Sequence, residues 1–185
     1  MSRKILIVTG DSGEGYEAWY AFHRFREEGM EPVVASTMAR RLNMVMHLME
    51  PGWETYIERP GYTIEATVGF EQAQPEDYDA VLLIGGRAPE YLRHNQRLLE
   101  ILRSMDKAGK WIFALCHGIQ VLIAAGLVKG RTVTCYEHVR YEVALCGGTW
   151  DARQAVRDGR MVTAQTWESH PEFYREVMAC LRGNR

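Results

Sequence analysis

A doubly wound α/β sandwich is the fold class this sequence predicts, on two patterns. Short continuous apolar runs rich in Ile, Val, Leu and Ala alternate with longer stretches of helical period, as buried parallel strands alternate with amphipathic helices. Glycine-rich or polar turns close the runs. At 185 residues and 46% hydrophobic content the chain can bury one sizeable core but not two, so one domain is expected over 1–185.

Taken in order, Lys4 to Thr9 reads as the first strand, Glu14 to Glu28 as a helix and Pro32 to Ser36 as the second strand. The rhythm weakens from Met38 to Tyr62. There Met38, Leu42, Val45, Met46 and Met49 fall at helical spacing before Pro51-Gly52-Trp53 and Pro60-Gly61-Tyr62, which predicts a helix and loop insertion over 38–62. Its Met stripe reads as packing, with a lid or a subunit contact as the alternative. Ala80 to Ile84, Trp111 to Cys116 and Met161 to Ala164 are the remaining strands. Pro89 to Met105, Gly118 to Ala125 and Pro171 to Leu181 are the remaining helices. Right-handed crossovers then give a flavodoxin-like three-layer α/β/α arrangement on a mostly parallel sheet, with ligands at the carboxyl ends of the strands. Four loops meet there: Gly10 to Glu14, Gly85 to Glu90, Cys116 to Gly118 and Cys135 to His138.

Composition removes several function classes. A net charge of -2 with no basic stripe gives no footprint for nucleic acid or an anionic membrane. The run Ile5-Leu6-Ile7-Val8 is too short for a signal peptide or a span, so a cytoplasmic location is expected. Cys116, Cys135, Cys146 and Cys180 have no CxxC and no matching histidine pattern, which speaks against a disulfide frame or a zinc site. The glycine loops lack the dinucleotide and phosphate-loop patterns. The expectation is no cofactor, no metal, and a small-molecule or protein partner.

Cys116 is the most informative residue. It lies in Ala114-Leu115-Cys116-His117-Gly118, where a strand passes into a helix within one or two residues, as in a nucleophile elbow. Helix-start amides beneath the sulfur would favour the thiolate. Glu14, in the turn Gly10-Asp11-Ser12-Gly13-Glu14-Gly15, can project toward it. A protonated carboxyl there would hydrogen-bond the thiolate; an ionised one could take a proton from a carbon acid. Glu14 or Glu17 reads equally well as a structural charge in a helix's first turn. Gly85-Gly86-Arg87-Ala88-Pro89-Glu90 could turn Gly85 and Gly86 amides into the cleft to join the His117 amide in an oxyanion hole, or could be a plain tight turn. Arg87 could orient a carboxylate or pair with Glu90. Tyr136 and His138 follow Thr132 to Cys135 on one side and could line the pocket. His23, His47, His94 and His170 receive no catalytic role.

Ala114 to Gly118, Gly85 to Glu90 and the glutamate of the first βα turn together resemble the ThiJ/PfpI family of the class I glutamine amidotransferase-like superfamily, and the PfpI-type protease/glyoxalase branch most of all. The resemblance implies Cys116 as nucleophile, Glu14 as the carboxyl beside its sulfur, His117 as the adjacent base, and Gly85, Gly86 and His117 as oxyanion-hole donors. It implies Glu90 reaching His117 of a neighbouring subunit, hence an oligomer with a shared site, and Tyr136 as a pocket tyrosine. The long 38–62 segment, Gln165-Thr166-Trp167 after the last strand, and His138 beside Tyr136 depart from the pattern. The leading expectation is a cofactor-free enzyme for small reactive carbonyls, glyoxalase- or deglycase-like. Amide or peptide hydrolysis through Cys116, and a non-enzymatic oxidative-stress sensor or chaperone, are the alternatives.

Overall fold

The structure, a computed structural model, describes residues 2–183. Its centre is a seven-stranded sheet in the order β10-β11-β7-β6-β1-β2-β5. The strands are β1 (Lys4–Val8), β2 (Glu31–Ser36), β5 (Val68–Gly69), β6 (Ala80–Leu83), β7 (Trp111–Leu115), β10 (Ala155–Asp158) and β11 (Met161–Ala164). All neighbours run parallel except β10 against β11. The central strands are buried throughout β6 and β7 and along β1 from Ile5, because helices cover both faces. That is why they read as unbroken apolar runs.

The helices are α1 (Gly15–Glu27), α2 (Ala88–Leu92), α3 (Gln96–Lys107), α4 (Ile119–Ala124), α5 (Arg140–Leu145) and α6 (His170–Arg182). Helices α1 and α6 pack together through Tyr20 against Tyr174 and a two-pronged ion pair from Arg182 to Glu28. The helix expected over 89–105 is instead two. Asn95 takes extended backbone and its side chain accepts from the Leu98 amide, so it caps a new helix after a short break. A small parallel pair, β8 (Thr132–Val133) with β9 (Thr149–Trp150), sits beyond the main sheet. Among the described residues no helix is long and apolar enough to cross a membrane.

The segment expected to be a helix and loop is a β-hairpin arm, β3 (Arg40–Leu48) paired antiparallel with β4 (Ile57–Ala66). A register shift between Asn43 and Val45 explains the misreading. Leu42 and Met44 alternate inward, the bulge resets the phase, and Val45 and His47 alternate inward after it. Spliced together, the two phases imitate helical spacing. The arm's tip and outer face expose Met46, Met49, Trp53 and Tyr62.

Side chains and backbone lace the arm to the first βα turn. Asp11 accepts from both Arg40 Nη atoms and from the Asn43 amide at 2.8 Å. The Ser12 amide donates to Asn43 O, and Val45 donates to Gly13 O. The sheet direction reverses at β1, with β2 on one side and β6 on the other, so the ends of β1 and β6 form the natural crevice. The arm lies over it. Asp11→Ala removes a charged acceptor that is partly exposed and so worth about 1 kcal/mol, and amide exchange across 40–48 should quicken by about fivefold. Exchange mass spectrometry checks this, with β6 and β7 amides expected unchanged.

Candidate active site

The chain leaves β7 at Leu115 in extended backbone and turns at once, with Cys116 at φ +54°. This left-handed conformation costs an L-residue about 1–2 kcal/mol, and the surrounding turn must hold it there. The neighbouring loop is shaped for it. A Cβ on Gly85 would lie 2.6 Å from Cys116 Cβ, 2.9 Å from Glu17 Oε2 and 3.2 Å from Cys116 Sγ. Gly86 is itself left-handed, and a Cβ there would meet the backbone of Ser12 and Glu14 at 2.5 Å. Paired glycines are therefore what lets the β1, β6 and β7 turns close on one sulfur.

Cys116 and His117 are both buried, and Sγ lies 3.2 Å from His117 Nδ1. The adjacent pair thus faces itself directly. Burial is the main cause that pushes the imidazole down to about 4, helped by His47 and His138, so the ring is neutral at pH 7. Burial pushes the Cys116 thiol up, and an ionised Glu17 would push it further; the amides of His117 and Gly86 pull it down. Those two amides make the anion-binding side of the elbow. Gly85 is different from the oxyanion donor the sequence predicts: its amide donates to Glu17 Oε2 at 2.7 Å and is already engaged.

Two glutamates divide the part expected of Glu14. Glu17, one turn along α1, is the carboxyl beside the sulfur, fully enclosed, with Oε1 lacking a hydrogen-bond partner. Burial raises it well above the carboxylate range, which keeps it an acid at neutral pH. A neutral Glu17 no longer opposes the thiolate and has a proton to offer it. Glu14 caps α1 through the Tyr16 amide and accepts from the His47 amide at 2.9 Å. Burial pushes its carboxyl up to about 7.

The hairpin arm contributes residues that sequence reasoning passed over. His47, given no role there, is fully enclosed with its ring 4.1 Å from that of Tyr56. Tyr56 meets His117 and Tyr136 edge-on, and Tyr136 lies 5.1 Å from His117. His138 is exposed and stands edge-on to Tyr136 at the outer rim. Arg87 pairs with Glu58 of the arm rather than with Glu90. Glu90 is exposed at the start of α2. Inward alternation after the bulge was the signal for His47, and it was masked by the bulge itself. Among the described residues no cluster of three or more His, Cys, Asp or Glu is arranged to hold a metal ion.

Glu17→Leu tests the neutral-acid assignment. Loss of the proton donor should slow alkylation of Cys116 by iodoacetamide at pH 7 by about tenfold, a shift of one pKa unit in the thiol. Peptide mapping separates Cys116 from exposed Cys146. Faster alkylation would mean that Glu17 is ionised and repels the thiolate.

Residues 3–180 match the model of the DJ-1/PfpI family. Deglycase PfpI of Pyrococcus furiosus is 36% identical over 162 residues, covering 88% of this chain and 89% of that protein. Protein DJ-1 homolog D of Arabidopsis thaliana is 37% identical over 97% of this chain, which spans only 48% of that relative. The crystal structure of Drosophila melanogaster DJ-1beta superposes with a TM-score of 0.80 at 20% identity, over 97% of this chain and 90% of that one.

Proposed function

Since the chain belongs to the DJ-1/PfpI family, we propose that it is an enzyme acting on small reactive carbonyls through Cys116, in the manner of a glutathione-independent glyoxalase or deglycase. The observation that carries this reading is the Cys116 sulfur held in a left-handed turn, with a neutral imidazole at 3.2 Å and two amides around it. Relatives at 34–36% identity from Pyrococcus abyssi and Pyrococcus furiosus bear the name deglycase, as does Protein/nucleic acid deglycase 2 of Escherichia coli at 29%.

For an α-oxoaldehyde the steps are these. The thiol proton passes to His117 Nδ1 as sulfur adds to the aldehyde carbon, and the alkoxide forms beside the Gly86 and His117 amides. Glu14 in its ionised form takes the proton from the former aldehyde carbon, giving an enediol that is reprotonated at the neighbouring carbon. Water then cleaves the resulting thioester to a 2-hydroxy acid and free thiol. Redox balance is internal, since one carbonyl carbon is oxidised and its neighbour reduced. Tyr56 and Tyr136 enclose the imidazole, which suits a small substrate better than an extended peptide. Glu90 from a second subunit, reaching His117, would complete the site in an oligomer.

Methylglyoxal without glutathione should yield lactate. Cys116→Ser should lose at least about a hundredfold, and Glu14→Gln a similar factor, the range typical of a lost general base. With Glu14 acting as base, the wild-type rate should rise as pH passes about 7 and fall below it. Full activity in Cys116→Ser, or no lactate from the wild type, would end this reading.

A further inference from the structure

Beside the sulfur lies a second polar cluster that the reaction above uses only at its inner end. His47 Nδ1 lies 3.3 Å from Glu14 Oε2, and its Nε2 lies 3.1 Å from Glu58 Oε2. Glu58 is in turn gripped by Arg87, with Nε to Oε2 at 2.8 Å and Nη2 to Oε1 at 2.7 Å. The guanidinium holds Glu58 below the usual carboxylate range, so Glu58 is ionised and can only accept hydrogen bonds. His47 must then carry its hydrogen on Nε2. Burial holds the ring below its ordinary value, so the neutral imidazole is the resting form and Nδ1 keeps a lone pair. Nδ1 lies buried 3.3 Å from Glu14 Oε2 but off the line a ring hydrogen bond would take, so it has no hydrogen-bond partner in this arrangement, and a small turn of the carboxyl or the ring brings the two into line.

We propose that Glu14 and His47 hold one shared proton between Oε2 and Nδ1, and that Glu58 and Arg87 fix the imidazole tautomer that makes His47 its acceptor. His47 is a positioning residue: it acts on substrate only through Glu14. The pair is either empty, as Glu14 carboxylate facing a bare Nδ1, or filled, as Glu14 hydroxyl donating to Nδ1. The other groups around it add little net charge. Glu58 from β4 and Arg87 after β6 offset each other, while Tyr56 before β4, pushed up to about 12, and His117 after β7, pushed down to about 4, are neutral. Glu17 on α1 stays an acid, and Trp167, whose ring lies 6.3 Å from that of His47, does not titrate.

This deepens the carbonyl reading and rests on it only for the use to which the proton is put. In each turnover the empty pair takes one proton from the substrate carbon and returns one to its neighbour, so no net proton is consumed. The hairpin arm, an apparent surface ornament, thereby becomes part of the acid–base machinery.

The test is side-chain NMR on the intact protein labelled with nitrogen-15 and carbon-13, titrated without substrate from about pH 5.5 to 8.5. His47 should keep Nε2 protonated throughout, and its Nδ1 should shift with the same midpoint, near 7, as the Glu14 carboxyl carbon. Glu58→Gln lets Nε2 accept from the new amide, so the hydrogen moves to Nδ1 and donates to the Glu14 carboxylate. The Glu14 midpoint should then fall by about one pH unit, the size of shift a hydrogen bond to a charged form brings. Glu65→Gln, exposed on the same strand, should leave both midpoints in place. An Nδ1-protonated tautomer in the wild type overturns the proposal. So do separate midpoints for Glu14 and His47, or an unmoved midpoint in folded Glu58→Gln. Since no readout uses substrate, absence of lactate formation would leave this result standing, and its failure would leave the carbonyl chemistry standing.

Discussion

The left-handed turn at Cys116 is the constraint on which the rest of the site depends. A non-glycine residue in that conformation is held only if what surrounds it leaves no cheaper arrangement. Here the hold comes from three chain turns that share almost no free volume: Gly85 under the cysteine Cβ, Gly86 against the backbone of Ser12 and Glu14, and the Gly85 amide bonded to Glu17. One consequence is geometric. The sulfur faces the His117 ring and the helix-start amides at the ends of β1, β6 and β7, where the strand order reverses. The other is electrostatic. A pocket this enclosed cannot hold a thiolate and two carboxylates together, so the acids of α1 are driven toward their neutral forms.

From that follows a division of labour between two glutamates one helical turn apart. Glu17, wholly enclosed on the cysteine side, stays an acid. Glu14, at the cap of α1 and open to the hairpin arm, sits where its proton can come and go near neutral pH. The arm is laced to the same turn by Asp11, Arg40 and Asn43, so the segment that completes the surroundings of Glu14 is pinned by the loop that presents it. Fold and chemistry are coupled through those few bonds.

The sheet was legible because strands covered on both faces have no polar alternation to hide them, and Ile5 to Val8, Ala80 to Leu83 and Trp111 to Leu115 are all of that kind. The elbow was legible from its small neighbours and abrupt strand-to-helix change. Three features were not. The bulge at Asn43 to Val45 shifted a period of two into a false helical spacing and hid His47 with it. Asn95 carried a helix-cap signal inside a longer apolar period that overrode it. Glu14 and Glu17 are three residues apart, and the bond from the Gly85 amide to Glu17 Oε2 decides which of them is held on the cysteine side. The hairpin and the choice of glutamate were decided by tertiary contacts, and the helix break by a local cap that the apolar period masked.

The central claim is that Cys116 adds to a carbonyl carbon, and its most direct test is to see the bond. Carbon-13 NMR of the protein with methylglyoxal labelled at the aldehyde carbon should give a protein-bound hemithioacetal resonance in the wild type that is missing in Cys116→Ser. A resonance of equal intensity in both, or adducts on Cys146 alone, would contradict the account.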